Sequence, residues 1–445
     1  MSDVLRGGMN YFLHPSLHLR MNLQQRDKAF IWHPFTAQKN MQPPIPIVKA
    51  RDSLLFDENE NEYIDSISSW WVTLHGHANP FIAKKIYEQA LQLEQVIFAG
   101  FTHTPAIDLA EKLIEKSPAG FSKIFYSDNG STSTEVALKM ALQFWWNKDI
   151  KPKRNKILAF KNAYHGDTFG AMGVSERSVF TLAFQDLFFE VIFIDTPNET
   201  NVDSIYEIVE KHASNIAAFI YEPLIQGAGG MKMYDAIYLN ALLKKIKEKE
   251  IICIADEVMT GFFRTGKFFA SDYMEEKPDI ICMSKGLTGG TMALGATACT
   301  QKIYNAYLSD NPLHTFFHGH SFTANPLACS AALASMELLE KNNCLQCIQQ
   351  LCNAVEAFAH QLKNDSGIYK RGIKNIRYKG TILAFEIDEG ETEYLNTLSK
   401  TITEKALRAG IYLRPLGNTV YIMPPYCITK IELQKVFDFI LELLN

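Results

Sequence analysis

The residues with the most chemical potential sit where apolar runs end. In DIICMSKGLTGG (279–290), Ile280, Ile281, Cys282 and Met283 read as a buried strand that delivers Lys285 into a cluster of glycines. Taking an ammonium out of water costs several kcal/mol, so a lysine there needs a partner or a covalent use. In IICIADEVMTGFFRTG (251–266) another apolar run ends at Asp256 and Glu257. A carboxylate so placed must be paired, or its pKa rises until it is neutral. In KIFYSDNGSTSTEVALKMALQFWW (123–146) a strand ends at Asp128-Asn129-Gly130-Ser131 and helical spacing begins near Thr132. Glycine and hydroxyls at a helix N-terminus form an anion cradle, because unpaired N–H groups and the positive dipole end meet there. The same residues also suit a plain N-cap. In KILAFKNAYHGDTFGAM (156–172) a strand is followed by Tyr164 and His165, where a core tyrosine is the simpler reading.

Lys285 and Asp256 could form an ion pair, but that leaves Gly286, Gly289 and Gly290 unexplained, since glycines permit close backbone approach. One ligand fits all four features, namely pyridoxal phosphate. Its phosphate suits the helix N-terminus and its aldehyde needs a lysine. Its ring nitrogen needs a carboxylate, and its ring face needs an aromatic. Lys285 then need not be a buried charge.

These residues require a scaffold that brings strand ends together. Apolar runs at 123–127, 156–160, 190–195, 217–223, 251–257 and 279–284 alternate with helical stretches such as 132–148 and 238–249. That alternation predicts βαβ units and a mostly parallel sheet with helices on both faces, in which ligands lie beyond the carboxyl ends of the strands. Past residue 325 the pattern changes to helices at 326–340, 347–363, 392–409 and 429–444 interleaved with strands within 376–387 and 410–425. The expected organisation is a large domain over 76–325 and a smaller α+β domain over 326–445. Residues 1–75 should contribute to the smaller domain, with a strand near 45–56.

Bulk properties narrow the function. The chain has 445 residues, too many for a single core, and its net charge of −5 leaves no basic footprint for nucleic acid or acidic membranes. Residues 1–20 carry charges and a proline where a secretory leader would need an apolar core, and the longest uncharged stretch, 311–336, holds three histidines and two prolines. The eight cysteines are scattered, and Cys344, Cys347 and Cys352 lack a second CxxC pair or nearby histidine. The expectation is a cytoplasmic protein with no membrane span, no nucleic-acid partner and no metal; the two HGH triplets (75–77, 318–320) have no carboxylate or cysteine beside them. A dinucleotide fingerprint is missing too, since after Gly227 and Gly229 the third glycine position is Lys232.

With SSWW (68–71), NAYHGDTFGAM (162–172), EPLIQGAGGM (222–231), ADEVMTGFFRTG (255–266), SKGLTGGT (284–291) and HGHSFTANPLA (318–328), the chain resembles the class III aminotransferases that depend on pyridoxal phosphate. The resemblance runs from WHPFT (32–36) to VYIMPPY (420–426). It implies an α/β fold of type I whose large domain has a mostly parallel seven-stranded sheet sandwiched by helices. It implies that Lys285 joins the cofactor and shuttles a proton, that Asp256 holds the ring nitrogen's proton, and that Tyr164 stacks on the ring. Gly130 and Ser131 would bind the phosphate from one subunit, and Ser321, after His320, from the other, in a homodimer with shared active sites. SSWW, LRP (413–415) and YIMPPY are similar to the branch that aminates 8-amino-7-oxononanoate with S-adenosyl-L-methionine as donor, in the making of biotin. For that substrate the resemblance points to Phe35, Trp70, Trp71, Arg264, Gly319 and Tyr421, with Arg414 on the distant carboxylate and Glu222 in support. If SSWW is a strand, Trp70 and Trp71 face opposite ways.

Three positions depart from the family pattern. Phe35 stands where the adenosylmethionine-using form has a tyrosine, which leaves lysine open as a donor. His320-Ser321 replaces proline and threonine, and Phe263 replaces a glycine before Arg264. The rival readings are another class III ω-aminotransferase, a non-catalytic pyridoxal-phosphate sensor, and an NAD-dependent dehydrogenase.

Overall fold

The computed structural model describes residues 21–149, 153–389 and 397–445. The extension expected at 1–20, and the beginning of the helix expected over 392–409, lie outside the described residues.

Seven strands form the central sheet, in the order Phe121–Ser127, Gly295–Thr300, Ile280–Met283, Ile252–Asp256, Ile216–Tyr221, Lys156–Phe160, Val191–Ile194. Only Gly295–Thr300 runs against its neighbours. The sheet is therefore mostly parallel, as expected. Six of its strands are the apolar runs read above; the seventh, GATACT, has small residues and no run to betray it. Both faces are covered. Ile157, Ala159, Ile252, Ile254, Ile280 and Cys282 pack in one cluster, and the alternate residues Leu158, Phe160, Cys253, Ala255, Ile281 and Met283 in another. Side chains that alternate across a sheet, with both sides dry, give the continuous apolar runs of parallel strands.

The helix Gly130–Asn147 lies across one face and buries Val136, Ala137, Met140, Ala141 and Phe144 there. Asn129 caps it, with its side chain accepting from Thr132 N–H at 3.0 Å. The helix thus starts at the end of Phe121–Ser127, on the edge where the parallel strands finish. On the other side Pro326–Leu339 packs against Pro80–Ala90 and Thr104–Lys116.

Among the described residues there are three smaller sheets, one of them the two-stranded pair Ile225–Gln226 and Lys232–Met233. Ile47–Arg51, Leu54–Asp57 and Glu62–Asp65 join Ile411–Tyr412, so the N-terminal strands are completed by a late one. Ile373–Lys379, Ile382–Ile387 and Thr419–Ile422 form an antiparallel sheet on which Asn342–Asn364 packs. Phe358 of that helix stacks on Phe437 of Lys430–Leu444, ring centres 4.0 Å apart. No described helix is long and apolar enough to cross a membrane.

SSWW is not a strand. Ser68, Ser69 and Trp71 have φ of 54°, 60° and 67°, in a tight turn rather than extended backbone. Polar contacts hold it: Ser68 Oγ donates to Met423 O (2.7 Å), and Ser69 N–H donates to Asp65 Oδ2 (2.6 Å), which also meets His77 Nε2 (2.9 Å). Local hydrogen bonding over-determines a conformation that non-glycine residues otherwise avoid. The turn buries Trp71 and leaves Trp70 exposed, so the two rings do face different ways, through turn geometry and not through the alternation of a strand.

Candidate functional site

Strand ends converge on one cavity of about 690 Å³. Asp128 to Ser131, Tyr164 to Thr168, Glu222, Asp256, Val258, Ser284, Lys285 and Gly290 to Leu294 line it, with Trp71 and Val72 from the N-terminal turn. Four of the lining segments directly follow parallel strands of the central sheet, and Gly130 opens the helix after a fifth.

Lys285 follows Ile280–Met283 and has φ 46°, a left-handed backbone that a lysine rarely adopts. Its Nζ lies 4.4 Å from the centre of the Trp71 ring. The side chain is half-buried at the cavity wall. Burial pulls its pKa down from 10.5 to about 8, opposed by the charges of Asp256 and Glu222. On the cofactor-free protein, competitive labelling with acetic anhydride, read by mass spectrometry, should give Lys285 an apparent pKa of about 8. A value of about 10.4, as for an exposed lysine, would mean that the amine is solvated.

Asp256 pairs with His165, not Lys285: Oδ2 lies 2.7 Å from His165 Nδ1, and Oδ1 accepts from Val258 N–H at 3.1 Å. The simple ion pair between positions 256 and 285 is therefore not what the fold builds. Its neighbour Glu257 points away from the cavity and is fully buried. Thr260 Oγ1, Ala270 N–H, Ser271 N–H and Ser271 Oγ all donate to it, which ties the following loop to the strand end. Burial still pushes Glu257 up to about 7. Glu222 is likewise pushed up to about 7 by burial, and it accepts from Tyr164 N–H (2.9 Å) and Gly227 N–H (2.8 Å). Tyr164 is thus pinned by its backbone at the cavity wall, and burial raises its phenol well above the usual range.

At the helix start, a Cβ on Gly130 would lie 2.7 Å from Val258 Cγ1, so only glycine leaves that corner open. Ser131 Oγ accepts from Asp167 N–H at 3.0 Å. The glycines after Lys285 permit close approach, and it is a neighbouring segment of the chain that approaches. Gly290 has φ 82°, and a Cβ there would stand 2.8 Å from the Val72 carbonyl. Gly286 and Gly289 face Leu74 and His75 in the same way. They let the lysine loop press on the segment that carries Trp71, and Gly290 also lines the cavity.

The residues expected at the substrate divide into groups. Trp71 lines the cavity, and its Nε1–H donates to Tyr421 Oη at 2.9 Å. Tyr421 is almost fully buried and supports Trp71 instead of lining the cavity. Phe35, Trp70 and Arg414 form an outer cluster. Trp70 contacts Phe35 edge-on (5.3 Å), Arg414 lies over Trp70 (4.7 Å), and Phe180 touches both Phe35 and Tyr164. Arg264 does not reach the cavity. It is buried, with its guanidinium donating to Pro424 O (2.9 Å) and Thr73 O (3.2 Å) beside the Tyr426 ring. Two backbone carbonyls and an aromatic face hold that cation, while its Nε has no hydrogen-bond partner among the described residues. Gly319, His320 and Ser321 sit on a separate, largely exposed segment and do not line the cavity.

Several lining residues had no clear signal. His165 was visible only as an imidazole in a loop, and its pairing with Asp256 spans 91 positions. Val258, Asp167 and Thr291 also line the cavity; Thr291 could have been suspected as a hydroxyl following the glycines after Lys285. Among the described residues no group of three or more His, Cys, Asp or Glu is placed to hold a metal.

Comparison with known proteins follows the same lines. The profile described as "Aminotransferase class-III" matches residues 35–444. The chain is 44% identical, over 93% of its length and 98% of the relative's, to the adenosylmethionine-8-amino-7-oxononanoate aminotransferase of Synechococcus elongatus. A crystal structure of the protein of that name from Methanocaldococcus jannaschii matches with a TM-score of 0.89 at 36% identity, covering 95% of this chain and 98% of that one. A PLP-bound amine transaminase from an uncultivated Pseudomonas species matches with a TM-score of 0.83 at 28% identity, covering 93% and 97%.

Proposed function

Because the chain belongs to the class III aminotransferases, we propose that it transfers an amino group from S-adenosyl-L-methionine to the ketone of 8-amino-7-oxononanoate, giving 7,8-diaminononanoate, a step in the making of biotin. It is a pyridoxal-phosphate-dependent transaminase. The observation that carries this reading is the meeting of a lysine amine, an oriented carboxylate and an open helix N-terminus in one cavity.

The residues fit pyridoxal phosphate. Gly130 and Ser131 present the first N–H groups of a capped helix to the cavity, suited to a phosphate. Asp256, oriented by His165, suits the ring nitrogen. Tyr164 and Val258 offer an aromatic and an apolar wall. When bound, the cofactor supplies an aldehyde that joins an amine and a ring that withdraws electrons from the carbon being aminated.

Lys285 holds and releases the proton at Nζ, once in the donor half and once in the acceptor half. Trp71, fixed by Tyr421, shields one side of that nitrogen from water. Asp256, held by His165 Nδ1 and Val258 N–H, presents its carboxylate at the ring-nitrogen end of the cavity. The outer cluster suits the acceptor: Phe35 and Trp70 offer apolar surface for its methylene chain, and the Arg414 guanidinium at their edge suits its distant carboxylate. Arg264 acts from behind, by clipping Thr73 to Pro424.

The protein acts as a homodimer. Gly319, His320 and Ser321 lie beside Phe317 (73% exposed) and Phe322 (63% exposed), an apolar stretch that a second copy would cover while bringing Ser321 to the partner's phosphate site.

The donor is tested by a half-reaction. S-adenosyl-L-methionine should bleach the visible band of the holoenzyme, and subsequent oxononanoate should restore it with release of diaminononanoate, detected by mass spectrometry. Bleaching by lysine alone would move the donor to lysine, a reading that Phe35 favours because it offers no hydroxyl. Turnover of 4-aminobutyrate or ornithine in preference to oxononanoate would overturn the acceptor.

A further inference from the structure

The hairpin of Ile225–Gln226 and Lys232–Met233 turns through residues 227–231, and its tip is held from a distant part of the chain. Gly230 and Met231 have φ of 92° and 51°, a left-handed backbone that methionine avoids unless its surroundings impose it. Both carbonyls accept from one side chain. Arg377, on Ile373–Lys379 of the C-terminal antiparallel sheet, donates from Nε to Met231 O (2.7 Å) and from Nη2 to Gly230 O. Its Nη1 donates to Asn375 O and meets Glu386 Oε1 at 3.1 Å. Gripping two consecutive carbonyls uses the fixed fork of a guanidinium, which an ammonium cannot reproduce. The same tip meets the cavity. Gly227 N–H donates to Glu222, whose other oxygen holds Tyr164 N–H. A Cβ on Gly227 would lie 3.2 Å from Trp71 Cζ3, so the tip packs against the ring that faces Lys285. Ala228 lines both the main cavity and a second one of about 130 Å³ behind Tyr164, to which Phe180 and Glu176 contribute.

We propose that Arg377 is a positioning residue for the substrate: by gripping the Gly230 and Met231 carbonyls it keeps Gly227 against Trp71 and Ala228 in the cavity wall, and so sets the room beside Lys285. This rests on the transaminase reading above. Arg377 lines neither cavity, so its effect runs through the hairpin tip. A bound chain touches such a wall before and during reaction alike, so loosening the wall raises KM and leaves kcat in place.

The test compares three full-length holoenzyme variants. Arg377→Met removes the grip and the charge, and Arg377→Lys keeps the charge without the fork. Glu386→Gln removes the ion-pair partner and leaves the guanidinium on its two carbonyls. Hydrogen–deuterium exchange over 224–234 reads the tip, and steady-state kinetics with 8-amino-7-oxononanoate read KM and kcat. Arg377→Met and Arg377→Lys should speed exchange at the tip and raise KM by about 10-fold or more, with kcat within about threefold of the parent. Glu386→Gln should keep KM within about twofold. A role confined to the stability of the C-terminal sheet would lower the melting temperature of Arg377→Met and leave the ratio of KM to kcat in place. The proposal is overturned if folded Arg377→Met matches the parent in KM or in exchange, or if Glu386→Gln raises KM as much. Should the methionine variant fail to fold, a lysine variant with the parent's KM overturns it. A parent protein that aminates no ketone would instead refute the transaminase reading, and the exchange measurement would still decide whether Arg377 holds the tip.

Discussion

Lys285→Ala should abolish transamination, lowering turnover by at least about 10⁴-fold, because it removes covalent capture and proton transfer together. The fold should survive. The substitution deletes a buried amine whose pKa burial pulls down to about 8, so its loss relieves a desolvation cost. It also removes a non-glycine side chain at φ 46°, where alanine is strained no more than lysine. Borohydride treatment of the parent holoenzyme followed by peptide mapping should place the cofactor label on Lys285, and the variant should take up none there. A variant that keeps turnover and the lysine-dependent visible band, or a label found on another residue, would remove the central assignment.

Asp256→Asn is the second large effect. Asparagine matches the shape of aspartate and can still accept from Val258 N–H through Oδ1. It cannot carry the negative charge, and its amide N–H would then face the N–H of His165. The expected result is a fall in turnover on the order of 10³-fold, about 4 kcal/mol of transition-state stabilisation, with the melting temperature nearly unchanged. Stopped-flow measurement of the donor half-reaction, with far-UV circular dichroism as a fold control, checks both parts. A loss below about tenfold would mean that the charge at position 256 is not coupled to the reacting carbon.

Much of this arrangement can be read along the chain. Lys285 and Asp256 stand out because each is an ionisable residue at the end of an apolar run, in conflict with its immediate surroundings. The helix start at Gly130 is legible because capping depends on residues three positions apart. Gly295–Thr300 escaped notice because GATACT has too little apolar character to signal a strand, although it lies between two strands that do. The resemblance points to both Trp71 and Tyr421 for the substrate, but not to their relation: they meet across 350 positions, and of the two Trp71 lines the cavity. Arg264 was placed at the substrate by its motif. The fold instead turned it toward two carbonyls, since a buried guanidinium goes where acceptors are fixed.

The amino-acid order alone determined the kinds of chemistry present and the parallel sheet that carries them, because both depend on residue type and on periodicities of a few residues. Which carboxylate oxygen meets His165, which tryptophan shields the amine, and which glycines serve packing were decided only in three dimensions. Those choices depend on contacts between segments tens to hundreds of positions apart, and their energies exist only once the chain has closed around them.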